Sequence, residues 1–290
     1  MFDTLISPRQ LADLLGTPGL LVVDCRFDLG QTHWGEAEFT RVRIPGARYA
    51  HLDRDLSGPI GQSTGRHPLP VPGALADRFA RWGIGPRTQV IAYDQGPGAY
   101  AARLWWLLRW MGHTAAAVLD GGFAGWQAQG LPLETAPPAP PAPQSVPFTG
   151  HPDERMVVTT EQIARAVAEN RLARGEWVLV DVRSADRFAG RNETLDPVAG
   201  HVPGACNQPF TDNLESGRFR ARHELRERFA RLLAGRPPAA LVCMCGSGVT
   251  ACHSLLGLEA AGLRGARLYA GSWSEWIRDP ARPVAGPAQR

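Results

Sequence analysis

The chain has 290 residues, which is enough for two domains of ordinary size. Apolar residues make up 44% of it and charged residues 20%, as in globular proteins, and no apolar run reaches the length of a membrane span. The formal net charge is +3 and the basic residues form no runs, so the composition gives little support to nucleic-acid binding.

All 31 basic residues are arginines, and the chain has no lysine. This excludes Walker A phosphate binding, Schiff-base chemistry and attachment of pyridoxal phosphate, because each of them needs a lysine. The five cysteines lack the spacing of a disulfide framework, and the N-terminal stretch carries Asp3 rather than the basic start of a signal peptide. We therefore expect reduced thiols and a cytoplasmic location.

Strands and helices alternate in the first half of the sequence. In chain order, the predicted elements are a helix over 8–15 capped by Ser7, a strand over 20–24, a helix over 74–82, a strand over 89–93 that ends before Asp94, a helix over 100–111 and a short strand over 118–119. Such alternation predicts parallel strands joined by helices.

A proline-rich segment follows the first half. Residues 134–153 contain seven prolines, which allow neither a regular helix nor a central strand. We interpret residues 135–155 as a semi-rigid linker. The sequence thereby predicts one domain over 1–134 and a second over 156–290.

The pattern of the first half begins again after this segment. A helix capped by Thr160 is predicted to run to Ala168, and a strand over 177–181 ends in Asp-Val-Arg, as the strand over 20–24 ends in Asp-Cys-Arg. Four pairs of landmarks are 157, 158, 151 and 150 residues apart: Asp24 and Asp181, Ala47 and Ala205, Asp94 and Cys245, Trp126 and Trp276. Such steady spacing indicates an internal duplication and hence two α/β domains.

Cys245 follows an apolar strand over 241–244 and opens a Gly-Ser-Gly loop before a helix that begins near Val249 and ends at Gly262. Backbone N–H groups at the start of a helix lack helical partners, so this loop favours a thiolate. A small buried residue at a strand end is the alternative interpretation. The first half has Asp94 at the same place, so the fold does not need a cysteine there, and we predict that Cys245 is a nucleophile.

These features together resemble the tandem-domain sulfurtransferases of the rhodanese family. The resemblance rests on Asp-x-Arg after the first strand of each half, the two Pro-Gly-Ala turns, CGSGVT over 245–250 and WSEW over 273–276. It implies two rhodanese-like α/β domains, each a mainly parallel sheet flanked by helices, with the first inactive because Asp94 replaces the cysteine. It further implies that Cys245 takes up a sulfane sulfur as a persulfide and passes it to cyanide or to a thiol such as thioredoxin or glutathione, without a cofactor or metal ion.

The CGSGVT loop resembles the branch of the family that uses 3-mercaptopyruvate, because the thiosulfate branch commonly carries basic residues in the loop. Ser247 would polarise or protonate the enolate that remains when the sulfur leaves. Arg187 matches an arginine that binds the donor's carboxylate, although without the resemblance a surface ion pair explains it equally well. The other loop residues implied in donor binding are Gly246, Gly248, Val249 and Thr250.

Two positions depart from the 3-mercaptopyruvate branch. A histidine that assists the serine is expected just before the first Pro-Gly-Ala turn, where this chain has Arg43. A second carboxylate-binding arginine is expected within residues 192–197, where none stands. Arg66 and His67 lie on a loop of the first half that could face Cys245. Thiosulfate therefore remains an alternative donor.

Other functional classes receive less support. A cysteine phosphatase needs an arginine six residues after the cysteine, where this chain has Ala251. A cysteine hydrolase needs a histidine partner that no pattern singles out, and a non-catalytic rhodanese-like carrier or regulatory module usually lacks the cysteine. Cys243, Cys252 and His253 fall on a predicted strand and a predicted helix, which makes convergence on a metal ion poor.

Overall fold

The computed structural model describes residues 1–137 and 147–286, which fold into two compact units. The first unit comprises Met1–Gly58, Leu69–Asp153 and Ser216–Phe219. The second unit comprises Pro59–Pro68, Glu154–Glu215 and Arg220–Arg290. Residues 59–68 thus belong to the second unit although they come from the first half of the chain. The domain boundaries stay predictions, and residues 138–146 of the predicted linker lie outside the described residues.

Short strands alternate with helices throughout both units. The strands are β1 (Leu5–Ile6), β2 (Leu20–Asp24), β3 (Arg48–Tyr49), β4 (Gln89–Tyr93), β5 (Ala116–Leu119), β6 (Val157–Val158), β7 (Val178–Asp181), β8 (Cys206–Asn207), β9 (Leu214–Glu215), β10 (Arg218–Phe219), β11 (Leu241–Met244) and β12 (Arg267–Tyr269). The helices are α1 (Pro8–Leu14), α2 (Trp34–Arg41), α3 (Leu52–Asp55), α4 (Pro72–Arg81), α5 (Ala99–Trp110), α6 (Gly122–Ala128), α7 (Thr160–Ala168), α8 (Ala185–Phe188), α9 (Arg222–Leu233), α10 (Thr250–Ala260) and α11 (Ser272–Trp276). Within the described part of the chain, no helix is both long and apolar enough to cross a membrane.

Each unit is organised around a five-stranded parallel sheet. The strand order is β1-β5-β4-β2-β3 in the first unit and β6-β12-β11-β7-β8 in the second. Neighbouring strands run parallel throughout both sheets. Helices such as α5 and α10 pack against these strands. The predicted fold class, two α/β domains with mainly parallel sheets flanked by helices, is confirmed.

The central strands β4 and β11 end at corresponding places. Asp94 follows β4 and α5 begins at Ala99, whereas Cys245 follows β11 and α10 begins at Thr250, so both landmarks repeat after 151 residues. The carboxyl ends of parallel strands and the following helix starts lie at one edge of a sheet, where α/β proteins build their sites. The duplication therefore places Asp94 and Cys245 at equivalent positions.

The repeated Asp-x-Arg motif braces the Pro-Gly-Ala turns. Arg26 pairs with Asp24 at 2.6 Å and donates to a backbone carbonyl just before the first turn. Arg183 pairs with Asp181 at 2.7 Å and donates to a carbonyl just before the second turn. All four side chains are buried. The motif is thus structural, as buried charges that are paired and hydrogen-bonded stabilise a specific turn geometry.

The structure differs from the sequence-based elements at several places. Thr159, and not Thr160, caps α7, because its hydroxyl accepts from the N–H of Gln162 at 3.3 Å. Helices α2 and α9 are not predicted from the sequence, since charged residues cover much of each. Helix α9 nevertheless buries Leu225, Phe229 and Leu233, which recur every four residues along one face.

Candidate active site

Cys245 lies immediately beyond the end of β11 with 2% of its surface exposed. Its Sγ accepts a hydrogen bond from the backbone N–H of Gly248 at 3.2 Å, so the loop folds back onto the sulfur. Gly248 has φ +78°, and a Cβ at this position would collide with the carbonyl of Ala270, so the turn requires glycine. The loop therefore directs a backbone donor at the sulfur atom.

Ser272 fixes the backbone of Cys245. Its hydroxyl accepts from the N–H of Cys245 at 3.0 Å and donates to the carbonyl of Tyr269 at 2.9 Å. Ser272 is fully buried and has φ +54°, a conformation that costs a non-glycine residue on the order of 1–3 kcal/mol. Ser272 was not predicted from the sequence, because a serine between Gly271 and Trp273 is indistinguishable from an ordinary turn residue.

His67 lies beside the loop of Cys245. Its Nδ1 is 2.7 Å from Oγ of Ser247, and the two residues are 5% and 6% exposed. A histidine at hydrogen-bond distance from a hydroxyl can supply or take up a proton through it. A histidine is therefore present beside the serine, but it comes from residues 59–68 and not from the position of Arg43.

Arg43 has a structural environment instead. Its side chain is 1% exposed, forms an ion pair with Glu134 and donates to the carbonyl of Ala136 at 2.7 Å. It also donates to the carbonyl of Phe39 at 3.3 Å. The position just before the first Pro-Gly-Ala turn thus ties this turn to Glu134 and Ala136.

Residues 59–68 are held against α11. The N–H groups of Gly65 and Arg66 donate to the side chains of Glu275 and Ser274 at 3.2 and 3.0 Å. A Cβ on Gly65 would lie 2.8 Å from the hydroxyl of Ser274, so the loop packs too closely for a larger residue. These contacts set the position of His67 relative to the cysteine loop.

Two guanidinium groups lie beside Gly246. A Cβ there would be 2.9 Å from Nη2 of Arg66 and 3.4 Å from Nη2 of Arg187. Both arginines pair with Asp196, Arg187 at 3.1 Å, and Arg187 also pairs with Glu193 at 2.8 Å. Burial raises the pKa of Asp196, Arg66 and Arg187 oppose this, and the charge of Glu193 adds to it. Arg187 thus lies next to the cysteine loop, together with Arg66, which the sequence did not assign to a carboxylate.

The rest of the predicted loop is buried against α11. Gly246, Gly248 and Val249 are buried and Thr250 is half-buried. The carbonyls of Cys245 and Gly246 accept from the first turn of α11 at 3.0 and 2.8 Å. This fixes the loop, whereas the part of these residues in donor binding stays a prediction.

The equivalent loop of the first unit holds a carboxylate. Asp94 is fully buried, and its Oδ1 accepts from the N–H groups of Gly96 and Gly98 at 3.0 and 2.9 Å. Its Oδ2 accepts from Tyr100 and Ala101 at 2.9 and 3.3 Å. Burial raises the pKa of Asp94, while the four hydrogen bonds act in the opposite direction. The first loop is therefore closed by hydrogen bonds to a carboxyl group of the chain itself.

Comparison with known proteins identifies relatives over nearly the whole chain. The family model of the rhodanese-like domain matches residues 7–129 and 164–279. The probable 3-mercaptopyruvate sulfurtransferase of Pseudomonas aeruginosa is 48% identical over 97% of each chain. The 3-mercaptopyruvate sulfurtransferase of Homo sapiens is 37% identical over 96% of this chain and 93% of that one. Relatives named thiosulfate sulfurtransferase, from Gallus gallus and Cricetulus griseus, are 34% and 32% identical.

A solved structure agrees with these sequence matches. The 3-mercaptopyruvate sulfurtransferase from Leishmania major superposes with a TM-score of 0.82 at 30% identity, covering 96% of this chain and 76% of that one. The chain therefore belongs to the rhodanese family. It is an enzyme of the sulfurtransferase class.

Proposed function

We propose that this sulfurtransferase takes a sulfur atom from 3-mercaptopyruvate, holds it as a persulfide on Cys245 and passes it to an acceptor. The contact between Nδ1 of His67 and Oγ of Ser247 carries the choice of donor. A 3-mercaptopyruvate molecule that loses sulfur leaves an enolate, which must gain a proton, whereas thiosulfate leaves sulfite, which need not. A histidine–serine pair beside the nucleophile assists the first reaction and offers the second little. The name of the 48% identical relative supports the same donor.

In the first half-reaction, the thiolate of Cys245 attacks the donor's sulfur. The S–S bond forms as the C–S bond breaks, and the electron pair of the C–S bond passes into the enolate of pyruvate. Ser247, hydrogen-bonded to His67, donates to the enolate oxygen as charge develops there. The donor's thiol loses one proton and the enolate carbon gains one, so the thiolate and 3-mercaptopyruvate become a persulfide anion and pyruvate. An acceptor nucleophile then attacks the outer sulfur and regenerates the thiolate.

The neighbouring residues would hold the donor. Nη2 of Arg187 lies next to Gly246, one residue from Cys245, where it can bind the donor's carboxylate. The backbone of the loop would surround the transferred sulfur; its residues are Gly246, Gly248, Val249 and Thr250.

The acceptor is proposed to be cyanide or a thiol such as thioredoxin or glutathione, since each supplies a nucleophile that can attack a persulfide. All five cysteines are free thiols in the structure. This supports a reducing compartment, and we propose the cytoplasm.

Thiosulfate is a second candidate donor. The guanidinium groups of Arg66 and Arg187 beside the loop suit a sulfur oxyanion, and some relatives are named thiosulfate sulfurtransferases. The hydrogen bond between His67 and Ser247 favours 3-mercaptopyruvate over it.

A paired assay with the two donors tests the proposal. With cyanide or dithiothreitol as acceptor, the protein should release pyruvate from 3-mercaptopyruvate with ping-pong kinetics and with a kcat/KM about tenfold or more above that for thiosulfate. A higher kcat/KM for thiosulfate would overturn the choice of donor. If no thiocyanate forms from either donor and no pyruvate forms from 3-mercaptopyruvate, the transferase mechanism is overturned.

A further inference from the structure

The contacts of Asp196 lead to an inference about donor selection, which rests on the proposed function. We propose that Arg66 and Arg187 form one binding site for the donor's carboxylate beside Gly246. We propose further that Asp196 forms ion pairs with both arginines and offsets part of their positive charge. The site thereby binds a monoanionic keto acid in preference to a dianion.

The two guanidinium groups converge on one point. Nη2 of Arg66 and Nη2 of Arg187 would lie 2.9 and 3.4 Å from a Cβ on Gly246, so the two nitrogens border one narrow gap. A carboxylate that accepts hydrogen bonds of about 2.8 Å through both of its oxygens can bridge this gap. Gly246 has no side chain to fill the space between them, and it adjoins Cys245, the proposed attacking residue.

Asp196 holds the two arginines through different oxygens. Its Oδ1 pairs with Nη1 of Arg66 and its Oδ2 pairs with Nη2 of Arg187 at 3.1 Å. The side chain of Asp196 is 2% exposed, so this carboxylate is well shielded from water. A shielded carboxylate that bridges two guanidinium groups fixes their spacing, because an arginine that turns away leaves one carboxylate oxygen without its ionic partner.

The charges of the cluster cancel. Arg66, Arg187 and Arg183 contribute three positive charges. Their partners Asp196, Glu193 and Asp181 contribute three negative charges. The Coulomb energy of a bound anion scales with its own charge. A neutral cluster therefore binds a monoanion through hydrogen bonds without the added long-range attraction that would favour a dianion such as thiosulfate.

The segment over 192–197 shows how this site is built in the chain. It has no arginine, but it supplies the acidic residues Glu193 and Asp196. The second arginine comes instead from residues 59–68, whose backbone is bonded to α11. Arg66 precedes His67 in this segment, and the side chain of His67 lies at hydrogen-bond distance from Ser247. Donor binding and proton transfer are thus supplied by adjacent residues of one loop.

The kinetics of variants at Asp196 and Arg66 test the proposal. Asp196→Asn removes one negative charge, so KM for 3-mercaptopyruvate should fall about threefold and KM for thiosulfate about ninefold. The fold-change for the dianion is the square of that for the monoanion, because twice the charge doubles the change in Coulomb energy. The value of kcat should stay within about twofold for both donors. Arg66→Gln should raise KM for 3-mercaptopyruvate about tenfold. Asp186→Asn is the matched control, because Asp186 pairs with the exposed Arg191, and its donor preference should equal that of the wild type.

A binding experiment separates this inference from the proposed function. Calorimetry on the Cys245→Ser protein would use pyruvate as the monoanion and sulfate as the dianion, so it needs no sulfur transfer. Adding Asp196→Asn should tighten sulfate binding about threefold more than pyruvate binding. Equal changes for the two anions, or the same result with Asp186→Asn, would overturn the inference. If Asp196→Asn does not fold, unchanged pyruvate affinity in Arg66→Gln overturns the two-arginine site on its own.

Discussion

The loops after β4 and β11 occupy equivalent places but surround different side chains. In the first, the two oxygens of Asp94 accept four backbone N–H groups, so the loop is closed around a residue of the chain itself. In the second, a single sulfur atom of Cys245 accepts from Gly248 at 3.2 Å. The same strand–loop–helix arrangement thus holds a hydrogen-bonded carboxyl group in one unit and a cysteine, the proposed nucleophile, in the other.

The residues beneath the two loops differ in the same sense. Gly122 has φ +57°, and a Cβ there would lie 2.8 Å from the carbonyl of Asp94. The equivalent residue of the second unit is Ser272, which keeps a left-handed φ of +54° and uses its hydroxyl to bind the N–H of Cys245. The second unit thus retains backbone strain where it positions the cysteine, and the first unit relieves it with glycine.

Exchanging the strand-end residue should have the largest effect. Cys245→Asp turns the second loop into a copy of the first, so sulfur transfer should fall below detection while the protein stays folded, as followed by pyruvate release and circular dichroism. The control is Cys206→Ser, which removes a different, half-buried thiol and should retain wild-type activity. Measurable turnover by Cys245→Asp would show that Cys245 is not the nucleophile.

Removing the histidine should reveal which donor the second loop serves. His67→Ala should lower kcat with 3-mercaptopyruvate about a hundredfold, since general acid–base assistance is lost. With thiosulfate the decrease should stay within about threefold, because sulfite leaves without a proton. His151→Ala, which alters an exposed histidine, is the control. An equal loss with both donors would mean that His67 serves only to hold the loop.

Truncating Asp94 in the first loop should lower the stability of the protein and leave its sulfur-transfer activity unchanged. Asp94→Ala leaves four backbone N–H groups, two of them buried, without their acceptor. The free energy of unfolding should therefore fall by about 3 kcal/mol, measured by urea titration. Activity per folded molecule should not change. A larger loss of kcat than of stability would indicate that the first loop takes part in catalysis.

The stabilising effect of Asp94 should also depend on pH. Burial raises its pKa in the folded state above the ordinary carboxyl value. The stability linked to this shift is therefore fully present below the ordinary value and is lost as pH rises through the raised one. The stability difference between wild type and Asp94→Ala should narrow over that window, and a difference that widens with pH would contradict the assignment.

Ser272 should give the smallest effect. Ser272→Ala keeps the left-handed backbone and leaves the N–H of Cys245 without its partner, which should cost about 1–2 kcal/mol. Ser272→Gly loses the same hydrogen bond but relieves the strain, so its cost should be lower by about 1 kcal/mol. Thermal melts of the two variants check this order. If Ser272→Ala is more stable than Ser272→Gly, the left-handed backbone at this position is not strained.

Local patterns predicted much of the fold. Strands β2, β4 and β11 appear at the predicted residues, because apolar runs and their flanking turns are readable within a few positions. The position of Cys245 followed from the duplication. His67 and Arg66 were only suggested, since a loop far away in the sequence reaches Ser247 through tertiary packing. The paired charges of Asp196 were not predicted at all, because nothing in residues 192–197 reveals an arginine partner 130 residues away.

Locating the transferred sulfur atom on the protein directly tests whether Cys245 carries it. The protein would be treated with 3-mercaptopyruvate in the absence of an acceptor, freed of donor and analysed by intact mass and peptide mapping. One added sulfur atom should be found on Cys245 and disappear when cyanide is added. An added sulfur on one of the other four cysteines, or an unmodified Cys245 in protein that still transfers sulfur, would contradict the account.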